Sequence, residues 1–283
     1  MIPLRELFTS VDIGMIYGIV AIGIYLTFRT INFADLTCDG SFVLGAAVSA
    51  ALIKYGINPY FALFVSLVSG GIAGLFTGIL NVKLKISDLL SGIIIAFILY
   101  SINLRITKNF PNITFIDETT TFSDLNSTLI IATIALPLLL CLIRLLFSGF
   151  GLRLRTVGYN KQFAPISGIN VKLMTIFGLM LSNSMISFGG GLFSQYQGFY
   201  DMSQGAGTLV TGLASVVIGE KILPFKKEPL IIFSCVVGSI LYRIFINIAL
   251  HGDVFGIRTQ DLNLITGIMI IAMMAIKRRK QNA

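Results

Sequence analysis

Nine stretches of this chain are apolar and almost free of charge: about 13–28, 40–53, 60–82, 89–104, 125–143, 173–197, 205–219, 230–250 and 262–276. That pattern leaves little choice of fold. Inside hydrocarbon a backbone N–H or C=O finds no water, so each stretch must close its own hydrogen bonds as a helix. Only 12% of residues are charged and 55% are hydrophobic, where a soluble domain carries about 25% charged residues. The chain therefore reads as an all-α polytopic membrane protein, one transmembrane domain over residues 1–283 with about nine spans.

Two of the stretches, 40–53 and 205–219, are short for a core of roughly 30 Å at about 1.5 Å per helical residue. Both follow polar, Gly-containing breaks. The first reads Asp35-Leu36-Thr37-Cys38-Asp39-Gly40-Ser41-Phe42-Val43-Leu44-Gly45. The second reads Asp201-Met202-Ser203-Gln204-Gly205-Ala206-Gly207-Thr208-Leu209-Val210-Thr211-Gly212. One inserted residue aligns Gly40-Ser41, Val43 and Gly45 with Gly207-Thr208, Val210 and Gly212. The match continues: Asn58-Pro59 and Glu228-Pro229 each open the next span, and Ser91-Gly92-Ile93 answers Thr266-Gly267-Ile268. The chain divides into repeat A (about 11–104), a linking span (about 125–148), a loop (149–172) and repeat B (about 173–276). An odd linker gives the two four-span halves opposite orientation. Paired, Gly-interrupted short segments in an inverted repeat point to a transport path at mid-membrane.

Basic residues set the orientation. With the C-terminus, Lys277-Arg278-Arg279-Lys280, in the cytoplasm, fifteen of the 21 Lys and Arg fall inside, a positive-inside bias. The net charge of +8 is thus a topology signal, and no nucleic-acid partner is expected. No cleavable signal peptide is expected before the first span. One His and three scattered Cys point to neither a metal centre nor a disulfide framework and make an intramembrane enzyme a poor reading.

The candidate path residues lie at the breaks: Asn32, Asp35, Thr37, Asp39 and Ser41 in the first, Asp201, Ser203, Gln204 and Thr208 in the second. Acids at mid-bilayer cost about 2.5–3.5 kcal/mol, so they are seldom idle. Each Asp reads either as a helix cap or as a group facing the solute; a cap at a broken helix still borders the path. The hydroxyls and amides either hydrogen-bond solute or satisfy backbone freed by the break. Arg243, inside the eighth stretch, is expected to snorkel outward. Gly189-Gly190-Gly191 lies within a span and suggests close helix packing.

The loop 149–172 is the longest basic segment. Its middle suggests a short helix with Asn160 as N-cap, Pro165 as a kink and Gly168 as the stop. Here Asn160-x-x-x-Ala164-x-x-x-Gly168-Ile169-Asn170-Val171 resembles the coupling segment of ABC-importer permeases of the branched-chain amino acid and ribose class. Ile31-Asn32-Phe33-Ala34-Asp35 with the following Asp39-to-Ala47 run is similar to that class's N-terminal signature. The run through Leu99-Tyr100-Ser101-Ile102-Asn103-Leu104-Arg105 resembles a subgroup linked to tryptophan or tyrosine uptake. The resemblance implies a bacterial inner-membrane permease importing a small polar solute, such as an aromatic or branched-chain amino acid. It also implies a homodimer, a cytoplasmic ABC ATPase that carries ATP and Mg, and an extracellular or periplasmic solute-binding protein. Gly158, Tyr159, Asn160, Ala164, Gly168 and Ile169 would contact the ATPase. No Gly-x-x-x-x-Gly-Lys-Ser/Thr loop is present, so no cofactor is expected in this chain. An ion-driven secondary transporter with inverted repeats is the alternative.

Overall fold

The computed structural model describes residues 4–123, 126–225 and 227–251, with 264, 266–268 and 271. The ninth expected span falls almost wholly outside the described residues, as do the basic C-terminus and Lys226. Eight helical spans within the described residues are long and apolar enough to cross a membrane.

Helix α1 (Leu4–Tyr25) ends in a π turn over Leu26–Thr30, closed by the Ile31 N–H on the Leu26 carbonyl. The chain then reverses at Asn32, whose φ is 51°, and runs extended to α2 (Thr37–Lys54). In α3 (Pro59–Leu84) the Asn58 side chain caps the Tyr60 N–H and Pro59 fills the first turn, where no backbone donor is needed. Helix α4 (Asp88–Ile106) leads to a loop holding the short strand β1 (Asn112–Thr114). Helices α5 (Ser127–Phe147), α6 (Gly149–Tyr159) and α7 (Val171–Gln197) follow. Strand β2 (Phe199–Asp201) pairs antiparallel with β1, and α8 (Thr208–Ile222) and α9 (Glu228–His251) complete the described chain.

The first short stretch is the centre of the molecule. Helices α2 and α7 are 72% buried along their apolar windows, against 22% for α5 and 28% for α4, which leaves the latter two facing outward. Small residues allow this. A Cβ at Gly190 would sit 2.0 Å from the Phe42 carbonyl oxygen, and one at Gly74 2.2 Å from that of Leu179. Backbone thus packs on backbone, with helices held by contact area and hydroxyl-to-carbonyl bonds. Ser187 donates to Ser66 O at 2.7 Å, and Ser182 to Gly23 O at 2.7 Å. Along this bundle α3 lies on α7 and α9 lies on α1.

Three expectations need revision. The loop's principal helix is α6, which ends where a helix start was expected. Asn160 is its C-cap, and its side chain accepts the N–H groups of Gln162 and Phe163. Pro165 opens a 3-10 turn over Ala164–Ser167, a position that suits its missing N–H; Gly168 ends it at φ 73°. Arg243 does not reach outward. Its guanidinium lies 4.0 Å from the Tyr17 ring centroid, a cation–π contact favoured by desolvation.

Candidate functional site

The first break sets Asp35 at the head of α2. Fully buried, its carboxylate accepts the Thr37 N–H at 2.8 Å and the Asn183 side-chain amide at 2.8 Å. Asn183 in turn accepts the Ser41 hydroxyl at 2.7 Å and donates to Leu179 O at 3.0 Å. The Thr37 and Thr77 hydroxyls meet at 2.9 Å. This satisfied network binds α2 to α7 and α3, and it caps a helix that starts inside the bundle.

The second break meets the first. Asp39 stands in the first turn of α2, and its carboxylate accepts the Leu209 N–H at 2.9 Å and the Gly207 N–H. Gly207, the N-cap residue of α8, has no side chain to do this and takes φ 83°. Asp39 therefore caps α8 from the other half of the chain, where a carboxylate is favoured by the helix dipole. A Cβ at Gly205 would lie 2.5 Å from the Asp39 carbonyl oxygen, so the two breaks are in backbone contact.

Beside this junction lies a cleft of about 340 Å³, walled by α2, α4 and the turn before α8. Asp39 is the one member of the nine path candidates that lines it. Asp35, Thr37 and Ser41 are buried in the network behind. Asn32 is exposed at the chain reversal. Asp201 accepts the Ser203 backbone N–H at 2.7 Å and the Ser203 hydroxyl, capping the 3-10 turn Met202–Gly205. Gln204 donates to the Gln197 side chain at 3.0 Å. Thr208 is buried at the start of α8, and its hydroxyl has no partner.

Next to this turn the Tyr200 ring is fully buried in β2, its hydroxyl also without a partner. Burial first, then the nearby Asp201, holds that phenol above its usual range, so it stays neutral.

At the opposite, basic end, α6 is seated on the first break. A Cβ at Gly158 would come 2.0 Å from the Thr30 carbonyl oxygen. Ile31 and Phe33 bury with Leu154 of α6 and Leu179 of α7. Tyr159, Ile166 and Phe163 are exposed; Ile166 is 80% exposed. Gly168 is open to solvent and Ile169 half-buried, whereas Ala164 is fully buried and forms no part of this surface. Lys161 reaches Asp88 at 3.7 Å.

Arg29, on the π turn, bonds Glu220 near the end of α8 at 2.6 Å, beside a cavity that Tyr159 also lines. This pair ties the π turn after α1 to the end of α8. Both members are partly solvated, so its worth is at most about 1 kcal/mol. Glu220→Arg is expected to lower the unfolding midpoint slightly at low salt, with Arg29→Glu restoring it. Thermal unfolding of the single and double variants at two salt concentrations checks this; no recovery in the double variant would refute the pairing.

Sequence reading missed Asn183, Asn103 and the Arg29–Glu220 pair. The signal for Asn183 was present: an amide in the middle of an apolar run is expensive unless bonded.

A family model described as "Branched-chain amino acid transport system / permease component" matches residues 7–274. The chain is 40% identical to a tyrosine transport system permease protein of Clostridioides difficile over 278 residues, 95% of this chain and 92% of that one. An uncharacterized protein of Rickettsia prowazekii is 33% identical over 96% of this chain and 98% of its own. A probable branched-chain amino acid transport permease protein LivH of Methanocaldococcus jannaschii is 29% identical over 62% of this chain and 61% of its own. No solved structure matches.

Proposed function

The chain belongs to the branched-chain amino acid transport system permease family, and from that premise we propose that it is the membrane subunit of an ATP-driven importer whose solute is an amino acid. Tyrosine, the solute named for the 40% identical relative, is the first candidate. Two copies form the transporter in the bacterial inner membrane. A cytoplasmic ABC ATPase pair holds ATP and Mg, and a binding protein delivers solute from outside. This chain contributes the path and no nucleotide site. The two halves form the inverted repeat: α3 on α7 is answered by α9 on α1, and each half opens with a broken helix.

The observation that carries the reading is the docking of α6 on the first break. A push on the exposed Tyr159–Ile166 surface passes through Gly158 to Thr30, and through Ile31 and Phe33 to the head of α2. There Asp39 holds the head of α8. Movement at the cytoplasmic face is thereby delivered to the junction of the two breaks, the place where alternating access must act.

Exposed apolar side chains outside the spans belong at an interface. Ile166→Asp is therefore expected to leave the fold intact, since exposed substitutions usually change stability by less than about 0.5 kcal/mol. Recovery of the ATPase with tagged protein should fall about tenfold or more. Full recovery with both Ile166→Asp and Tyr159→Asp would sink the docking surface.

A further inference from the structure

The mostly apolar cleft beside Asp39 carries two polar side chains, Asp39 and Asn103, that a lipid-facing groove would not. Its floor holds a carboxylate, and a charge facing hydrocarbon is costly. An ionised carboxylate offers about four acceptor sites; two N–H groups, from Gly207 and Leu209, use part of that capacity. A second acceptor lies in the same lining. Asn103 is 1% exposed, and its amide N–H₂ points to the Gly40 carbonyl at 3.5 Å. The amide oxygen, turned away from that carbonyl, has no partner among the described residues. A buried, unpaired amide oxygen is costly, and one that lines a cleft can be satisfied by a donor carried on a ligand. The remaining wall is apolar and aromatic, with Phe97 and Tyr100 exposed along one face of α4. Among the described residues, no Lys, Arg or His lines the cleft.

We propose that this cleft is a recognition site for the amine end of the transported solute. Asp39 and the Asn103 oxygen take the ammonium, and Phe97 and Tyr100 flank an aromatic or large apolar side chain. A cation beside aromatic faces gains further from the ring quadrupoles. The volume of about 340 Å³ is at the small end of the range for small-molecule sites, which fits a single amino acid. The site selects for an unblocked amine and is indifferent to the carboxylate, for which it holds no cation. The proposal rests on the reading of this chain as an amino-acid permease.

The test is protection from labelling in membrane vesicles carrying the full chain. Ala96→Cys places a thiol in the lining, on a Cys141→Ser background; Cys38 and Cys235 are buried. L-Tyrosine and tyramine are each expected to slow maleimide labelling about tenfold, and 3-(4-hydroxyphenyl)propionate, which lacks the amine, to leave it unchanged. Asn103→Ala and Tyr100→Ala should each raise the protecting concentration about tenfold, a loss of about 1.4 kcal/mol. They are preferred to Asp39→Asn, which also disturbs the α8 cap. Equal protection by the amine-free acid, or protection by none of the three, overturns the assignment. ATPase co-purification is measured on the same preparation. Loss of amine selectivity with the ATPase retained removes the cleft and leaves the importer reading. Selectivity retained without an ATPase does the reverse.

Discussion

Valine at position 45 is expected to leave no folded protein in the membrane. A Cβ there would lie 1.7 Å from the Ser187 carbonyl oxygen and 2.5 Å from its carbonyl carbon. Both are backbone atoms of α7, so no rotamer change relieves the clash. Either α2 or α7 must move, and both are the most buried helices of the bundle. Overpacking in a core costs about 1–3 kcal/mol when side chains can shift; backbone-on-backbone overlap exceeds that range. Even Gly45→Ala should be severe. Gly149→Ala is the control, because nothing lies within 4 Å of a Cβ there. Size-exclusion profiles in detergent and membrane yields would show loss of the first two variants and normal behaviour of the third. A monodisperse, fully expressed Gly45→Val protein would mean that α2 and α7 do not touch here.

The second large effect is expected at Asn183. Its amide is the partner that joins Asp35 of the first break to Ser41 one turn inside α2. Asn183→Leu fills similar space and leaves a buried carboxylate with one partner fewer and a buried hydroxyl without its acceptor. Removing one member of a buried charged pair costs about 3–5 kcal/mol; a neutral amide partner belongs at the lower end of that range. The reciprocal exchange, Asp35→Asn with Asn183→Asp, keeps one carboxylate and one amide facing each other. It should recover part of the loss, which a double-mutant cycle on thermal unfolding measures. Transport should fall with either single change, since the head of α2 also carries Asp39. Equal stability of Asn183→Leu and wild type would show that the network is not formed.

How far these features could be read in advance differs from residue to residue. The apolar runs located the eight described spans because burial in lipid demands both length and low charge, each written locally. The breaks at 31–36 and 198–207 were legible for the same reason: Asp, Asn and Gly are out of place inside a span. Pro59 after Asn58 announced the start of α3. Helix α6 was not legible, because Gly149, Gly151 and Gly158 with the β-branched Thr156 and Val157 weaken its helical propensity, and it is held by Gly158 on Thr30 and by Leu154 packing with Ile31. The β1–β2 ribbon has three residues a side, too few for a period to register.

The split at the site is similar. Asp35, Asp39 and Asp201 stood out as acids at broken helices, but nothing local told them apart. Position in the fold makes Asp35 a buried cap for its own helix, Asp39 a cap for a helix 170 residues later with a face on the cleft, and Asp201 a cap for a surface turn. Asn103 stood only as one residue of the 99–105 run, and its unpaired oxygen is a feature of the fold.

What the sequence determined by itself was the solvent, the positions of the eight described spans and the places where helices must stop. Hydrophobic length, charge and glycine act within a few residues of where they are written. Only the tertiary structure decided which helices lie at the centre, that the two breaks meet, and which carboxylate faces the cleft. Those outcomes depend on contacts between residues more than a hundred positions apart, where one missing Cβ sets the distance between two backbones.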